Sequence, residues 1–270
     1  LVPLQYTFLV WFLFSVSDVP VNSLTFWGRT TAMGLLCGVV GINVGHELGH
    51  RPRKWEQALA KMLLASSLYT HFFIEHNYGH HRNVATKDDP ASARYNEWLY
   101  AFWLRSIWYS YWHAWKIQLQ MLKAKKKGFV SLANHMLWFQ LVHMALLVSA
   151  FAAFGWKGLL AFAVAAILGM ILLETVNYIE HYGLQRQMIS SKRYENANPG
   201  HSWNSDHLIG RLVLFELSRH SDHHAHPHKP YQLLSHFDES PQLPTGYPGM
   251  MLLSAFPPIF FKIMNPLLKA

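Results

Sequence analysis

Nine histidines fall into four short stretches at spacings that suit metal ligation. In "HELGH", His46 and His50 stand four residues apart, which on a helix puts both imidazoles on one face. "EHNYGHH" repeats that spacing with His76 and His80, adds His81 about 100° further round, and has Gly79 to let another segment approach. His181 closes "ETVNYIEHYG", with Glu174 seven residues and Asn177 four residues before it, near the same helical face. "RHSDHHAHPHKPY" supplies His220, His223 and His224 at helical spacing, whereas His226 and His228 flank Pro227, where a helix should already have ended. Glu174, Asn177 and Asp222 are candidates to orient imidazoles, as metal-bound histidines generally require.

The number of ligands matters as much as their spacing. A single transition ion rarely takes more than about six ligands, so nine histidines argue for two ions. Imidazole suits Fe, Zn, Cu or Ni alike, and residue type leaves the metal open. "HELGH" alone also fits a zinc protease with Glu47 as general base, or two helix-end histidines bonded to water. A metal transporter would instead place its ligands near mid-membrane. One cysteine, Cys37, excludes a disulfide framework, a Cys-rich zinc site and any iron–sulfur centre on this chain. Any such electron carrier must be a partner.

The elements that position these residues read as membrane helices. Charged residues make up 14% of the chain, against roughly 25% in soluble domains. Four runs lack Asp, Glu, Lys and Arg, at 1–17, 30–45, 131–154 and 158–173. They predict spans over 1–17, 30–46, 131–154 and 158–179, near the about 20 residues an apolar layer requires. The connection from Asp18 to Trp27 has no basic residue, while Arg51–Lys54 and Lys123–Lys127 are basic. The positive-inside rule then puts the first connection outside and all four histidine stretches on the cytosolic face. The apolar stretch 58–74 contains Lys61 and His71; a full span there would separate His50 from His76 by about 25 Å, so it is expected to be interfacial, re-entrant or buried. The aromatic stretch 98–123 and the Pro-interrupted tail 247–266 are expected at the membrane surface. The net charge of +8 sits beside apolar segments, which favours a bilayer over nucleic acid. The expectation is an all-α fold: a polytopic membrane helical bundle with a cytosolic histidine-rich cap, in a single domain over 1–270.

In order and spacing, "HELGH", "EHNYGHH", "NYIEHYGL" and "RHSDHHAHP" resemble the integral-membrane alkane 1-monooxygenases, within the membrane di-iron hydroxylases and desaturases. The likeness runs through "DDPASAR" (88–94) and "NPGHSWNSDH" (198–207), and the xylene-type hydroxylases stand close by. The resemblance implies two non-haem iron ions held by His46, His50, His76, His80, His81, His181, His220, His223 and His224. It implies O2-dependent hydroxylation of the terminal methyl of medium- to long-chain n-alkanes to 1-alkanols. Electrons would come from rubredoxin, itself served by rubredoxin reductase. It also implies a bacterial inner (cytoplasmic) membrane location, and two further spanning helices upstream of Leu1.

Overall fold

Long charge-free runs become long helices in the computed structural model, which describes residues 1–190 and 193–268. The helices are α1 (Val2–Ser17), α2 (Leu24–Gly49), α3 (Lys54–Ala65), α4, α5 (Leu99–Ala124), α6 (His135–His181), α7 (Leu208–Val213), α8 (His220–Ala225), α9 (Tyr247–Ser254) and α10 (Pro257–Leu267). α4 consists of Phe72–Glu75, a π turn over His76–His80 and His81–Asn83. Among the described residues the one sheet pairs β1 (Met188–Ser190) with β2 (Arg193–Tyr194), antiparallel. The chain divides into two compact units: Leu1–Glu75 with Tyr111–Leu173, and His76–Ser110 with Glu174–Ala270.

In the first unit, α2 starts earlier than the charge-free run, because Ser23 caps it by accepting from the Phe26 amide at 3.2 Å. Its middle turn, Cys37–Ile42, is π-helical, which shifts the facing of every residue after it, His46 and His50 included. α2 packs closely on α6 through small residues. A Cβ on Gly34 would lie 2.7 Å from the Leu168 Cβ, and one on Gly169 would lie 2.7 Å from the Cys37 Cβ. Leu9, Phe12 and Val16 of α1 complete this core with Phe26, Met33, Ala161 and Phe162.

α6 is 47 residues long, about 70 Å if straight, more than twice an apolar layer. It breaks at Gly155, whose φ of 65° and ψ of −167° are not helical. A Cβ on Gly158 would meet the Ala150 carbonyl at 3.4 Å, so the chain doubles back there, between the predicted spans 131–154 and 158–179. Residues 131–134 are not part of the helix: Asn134 caps it, accepting from the Leu137 amide. The stretch 58–74 does not form one helix. α3 ends at Ala65, where the Ser66 and Ser67 hydroxyls bond the carbonyls of Leu63 and Cys37, and Leu68 takes a positive φ of 52°. α2 and α6 are long and apolar enough to cross a membrane; α1 is apolar but shorter.

The second unit packs around Tyr178, Tyr182, Trp203, Tyr247 and Phe260. The predicted aromatic stretch 98–123 forms nearly all of α5, of which the part up to Ser110 lies in this unit, and the Pro-interrupted tail forms α9 and α10, each with Pro in its first turn.

Candidate metal centre

Four buried or half-buried imidazoles converge within the second unit. His80, His181, His220 and His224 come from α4, α6 and α8, and each offers a ring nitrogen within 4.8 Å of the others. The Nε2 atoms stand 3.2 Å apart for His80 and His224, 3.2 Å for His181 and His220, and 2.9 Å for His220 and His224.

The opposite edges of two rings fix their tautomers. His80 Nδ1 donates to Asp89 Oδ2 at 2.9 Å, and His181 Nδ1 donates to the His201 carbonyl at 3.4 Å. Both Nε2 atoms therefore carry lone pairs aimed into the cluster. Lone pairs about 3 Å apart repel unless a cation lies between them. Metal–nitrogen bonds of about 2.0–2.1 Å place neighbouring ligand atoms about 3.0 Å apart at right angles and about 3.4 Å apart in a tetrahedron. The observed separations fall in and just below that range, so the donor set fits a transition ion. Burial and the neighbouring imidazoles hold the His224 pKa well below its usual value, which keeps that ring neutral and able to ligate.

Asp89 is built to hold His80. Burial alone would raise its carboxyl pKa, but the His80 ring and the Ser92 hydroxyl outweigh that and hold it below the usual aspartate value. Arg105 fixes the loop: it donates to the carbonyls of Pro90 and Ser92 and forks onto Glu97 at 2.6 and 2.8 Å. A second buried carboxylate, Glu180, puts Oε2 3.2 Å from His220 Nε2, while Oε1 accepts from the Tyr247 hydroxyl at 2.8 Å. α8 is anchored by Asn204, which accepts from the Ser221 amide and donates to the Ser221 hydroxyl. The Trp203 amide in turn donates to the Glu180 carbonyl, tying this segment to the end of α6.

A trio lies in the same unit: His76, His81 and His223, again with ring nitrogens within 4.8 Å. His76 and His81 bring their Nε2 atoms to 3.0 Å. Spacing alone put His76 with His80 on one helical face. The π turn His76–His80 changes the pairing: His76 joins His81, five residues on, and His80 joins the other group.

Within the first unit, His46 and His50 are both buried and bring their Nε2 atoms to 3.3 Å. Glu47 forms an ion pair with Arg51 one turn on, which occupies the carboxylate that a zinc protease would use as base. The three residues expected to orient imidazoles are all buried. Glu174 accepts from the Ser106 hydroxyl, and Asn177 lies one turn before the cluster. Asp222 holds the exposed His226 at 2.8 Å and Lys229 at 2.6 Å, so it fixes the loop after α8. Asp89 is the residue that orients an imidazole, and Glu180 lies at the inward-facing nitrogen of His220; spacing pointed to neither. Their signal was weak: a carboxylate in a loop nine residues after His80, and one directly before His181.

Comparison with known proteins places the chain. The model of the fatty acid desaturase family matches residues 22–253. The alkane 1-monooxygenase 1 of Pseudomonas aeruginosa is 43% identical over 243 residues, 90% of this chain and 64% of that protein. The alkane 1-monooxygenase 1 of Alcanivorax borkumensis is 42% identical over 264 residues, 98% of this chain and 65% of that protein. The xylene/toluene monooxygenase hydroxylase component of Pseudomonas putida is 26% identical over 241 residues, 88% of this chain and 63% of that protein. The chain thus spans a little under two-thirds of the length of these relatives.

Proposed function

The chain belongs to the fatty acid desaturase family, and from that premise we propose that it is the histidine-bearing part of an alkane 1-monooxygenase. The reaction is octane-like n-alkane plus O2, two electrons and two protons giving a 1-alkanol and water. The observation that carries this reading is the set of Nε2 atoms of His80, His181, His220 and His224 facing one another at 2.9–3.2 Å, with the lone pairs of His80 and His181 fixed inward. It is joined to 40–43% identity with alkane 1-monooxygenases.

His80, His181, His220 and His224 hold one iron. His76, His81 and His223 would serve a second, and His46 and His50 are the remaining pair of the nine proposed ligands. A pair of irons, when bound, supplies the reduction of O2 that C–H hydroxylation requires. The protein residues do the positioning. Asp89 keeps His80 in the Nδ1–H tautomer, and the His201 carbonyl does the same for His181. Glu180, held by Tyr247, supplies a buried carboxylate beside the four-histidine group that can hold or pass a proton. Glu174 and Asn177 lie two turns and one turn back from His181 on α6, and Glu174 ties that helix to α5 by accepting from the Ser106 hydroxyl.

A terminal C–H bond is harder to break than an internal one, so the primary alcohol must come from how the chain is presented. Medium- to long-chain alkanes dissolve in bilayers, which suits an enzyme with spans in α1, α2 and the two halves of α6. Exposed Phe8, Trp11, Phe14, Leu141, Met144 and Phe151 make those helices apolar on the outside. The single domain is multi-pass in the bacterial inner membrane, its histidines facing the cytosol beside the basic segments. Rubredoxin brings electrons to that face, with rubredoxin reductase behind it.

The test supplies purified protein in detergent with iron, rubredoxin, rubredoxin reductase, NADH, O2 and, in parallel, octane and a xylene. 1-Octanol from octane is the expected result. A methylbenzyl alcohol without octanol would move the substrate to aromatics, and an O2-independent peptidase activity would remove the oxygenase reading.

A further inference from the structure

The five lysines Lys116, Lys123, Lys125, Lys126 and Lys127 lie within twelve residues, and no Asp or Glu occurs anywhere between Trp98 and Leu173. Lys116 and Lys123 border a cleft of about 720 Å³ lined also by Tyr111, Trp112, Trp115, Leu119, Gln120 and Phe129. Such a volume suits a small ligand or part of a lipid. Trp112, Trp115, Lys116, Leu119 and Lys123 recur at i, i+3, i+4, i+7 and i+11, one stripe of α5. Phe129 comes from the loop after the helix and stacks on Trp115, with ring centroids 5.8 Å apart and planes 14° apart.

The loop is fixed rather than draped. Buried Asn134 donates to the Phe129 carbonyl at 2.9 Å, and buried Gln118 donates to the Ala133 carbonyl at 3.0 Å. Lys126 takes a left-handed φ of 52°, and the Lys127 amide bonds back to the Leu122 carbonyl at 2.9 Å, which ends α5 in a fixed turn. Lys116 and Lys123 are about 10 Å apart along the helix axis, within reach of one anionic group for side chains of their length. The apolar helix α6 begins eight residues after Lys127.

From this juxtaposition we propose that the cleft binds an anionic glycerophospholipid: the phosphate between Lys116 and Lys123, and an acyl chain along Trp112, Trp115 and Phe129. Clustered lysines beside an apolar helix attract anionic lipid headgroups, and Trp rings favour the headgroup level. An acidic protein would satisfy the lysines but has no use for a fixed aromatic wall. The proposal rests on the membrane location proposed above.

The test is native mass spectrometry of the full chain in detergent, titrated with phosphatidylglycerol, phosphatidylcholine or glycerol 3-phosphate. Wild type is expected to retain phosphatidylglycerol in preference to phosphatidylcholine and to show no binding of glycerol 3-phosphate. Lys116→Gln/Lys123→Gln should weaken phosphatidylglycerol binding about thirty-fold, and Trp115→Ala should weaken both lipids. A control pair, Arg53→Gln/Lys54→Gln, should leave the preference intact. Equal retention of the two phospholipids or an unchanged Lys116→Gln/Lys123→Gln variant would overturn the assignment. Release of the chain from membranes by alkaline carbonate would instead remove the membrane location, a separate failure.

Discussion

Asp89→Asn isolates one interaction on which the four-histidine group depends. The Asp89 carboxylate accepts from His80 Nδ1 at 2.9 Å, from the Ser92 hydroxyl and from the Ala91 amide at 3.1 Å. An asparagine keeps the size and one carbonyl acceptor, so the loop held by Arg105 should survive. It removes the charge that fixes His80 as the Nδ1–H tautomer and makes its Nε2 a stronger ligand. Losing such a partner costs about 10- to 100-fold in metal affinity, or about 1.4–2.7 kcal/mol at about 1.4 kcal/mol per tenfold. Only the ion held by His80, His181, His220 and His224 should feel it. The assay is chelator competition on iron-loaded protein, reading iron per chain against chelator concentration. The variant should release one of its two irons at about 10- to 100-fold lower chelator, while the other tracks wild type. Wild-type release of both irons, with unchanged helical circular dichroism, would refute the orienting role of Asp89.

Other perturbations follow from the packing. Tyr247→Phe removes the donor to Glu180 and leaves a buried carboxyl oxygen short of a partner, so the unfolding free energy in detergent should fall by about 1–3 kcal/mol. Gly169→Val places a branched side chain where a Cβ alone would lie 2.7 Å from the Cys37 Cβ, and overpacking of about 1–3 kcal/mol should lower the thermal midpoint; an unchanged midpoint would contradict the close approach of α2 and α6. Asn204→Ala removes two of the bonds that hold Ser221 at the start of α8, leaving that from Ser240, and should lower iron content while the helical signal stays within error of wild type.

The sequence makes most of the scaffold legible because long apolar runs have few alternatives. Gly155 falls between two predicted spans and breaks α6 where a turn was required. The failures are local and physical. Apolar character continues through 58–74, but the Ser66 hydroxyl bonds back to the Leu63 carbonyl and the Ser67 hydroxyl reaches across to the Cys37 carbonyl of α2 where α3 ends, a competition that hydropathy does not register. The spacing of His76, His80 and His81 assumes 3.6 residues per turn, and the π turn reassigns which imidazoles meet. Asp89 sits in an aperiodic loop, and its pairing with His80 depends on Arg105 from another element. Asp222 shows the converse: it stands beside two clustered histidines in sequence yet binds His226 and Lys229. Proximity along a short helix decides less than which way its side chains face.

The central claim is a two-iron centre with an imidazole shell. Iron-edge X-ray absorption on purified, iron-loaded protein, with iron counted per chain, tests it most directly. Two irons per chain, nitrogen and oxygen neighbours only, and the outer scattering pattern of imidazole are expected. One ion per chain, zinc in preference to iron, or a shell without imidazole scattering would contradict it.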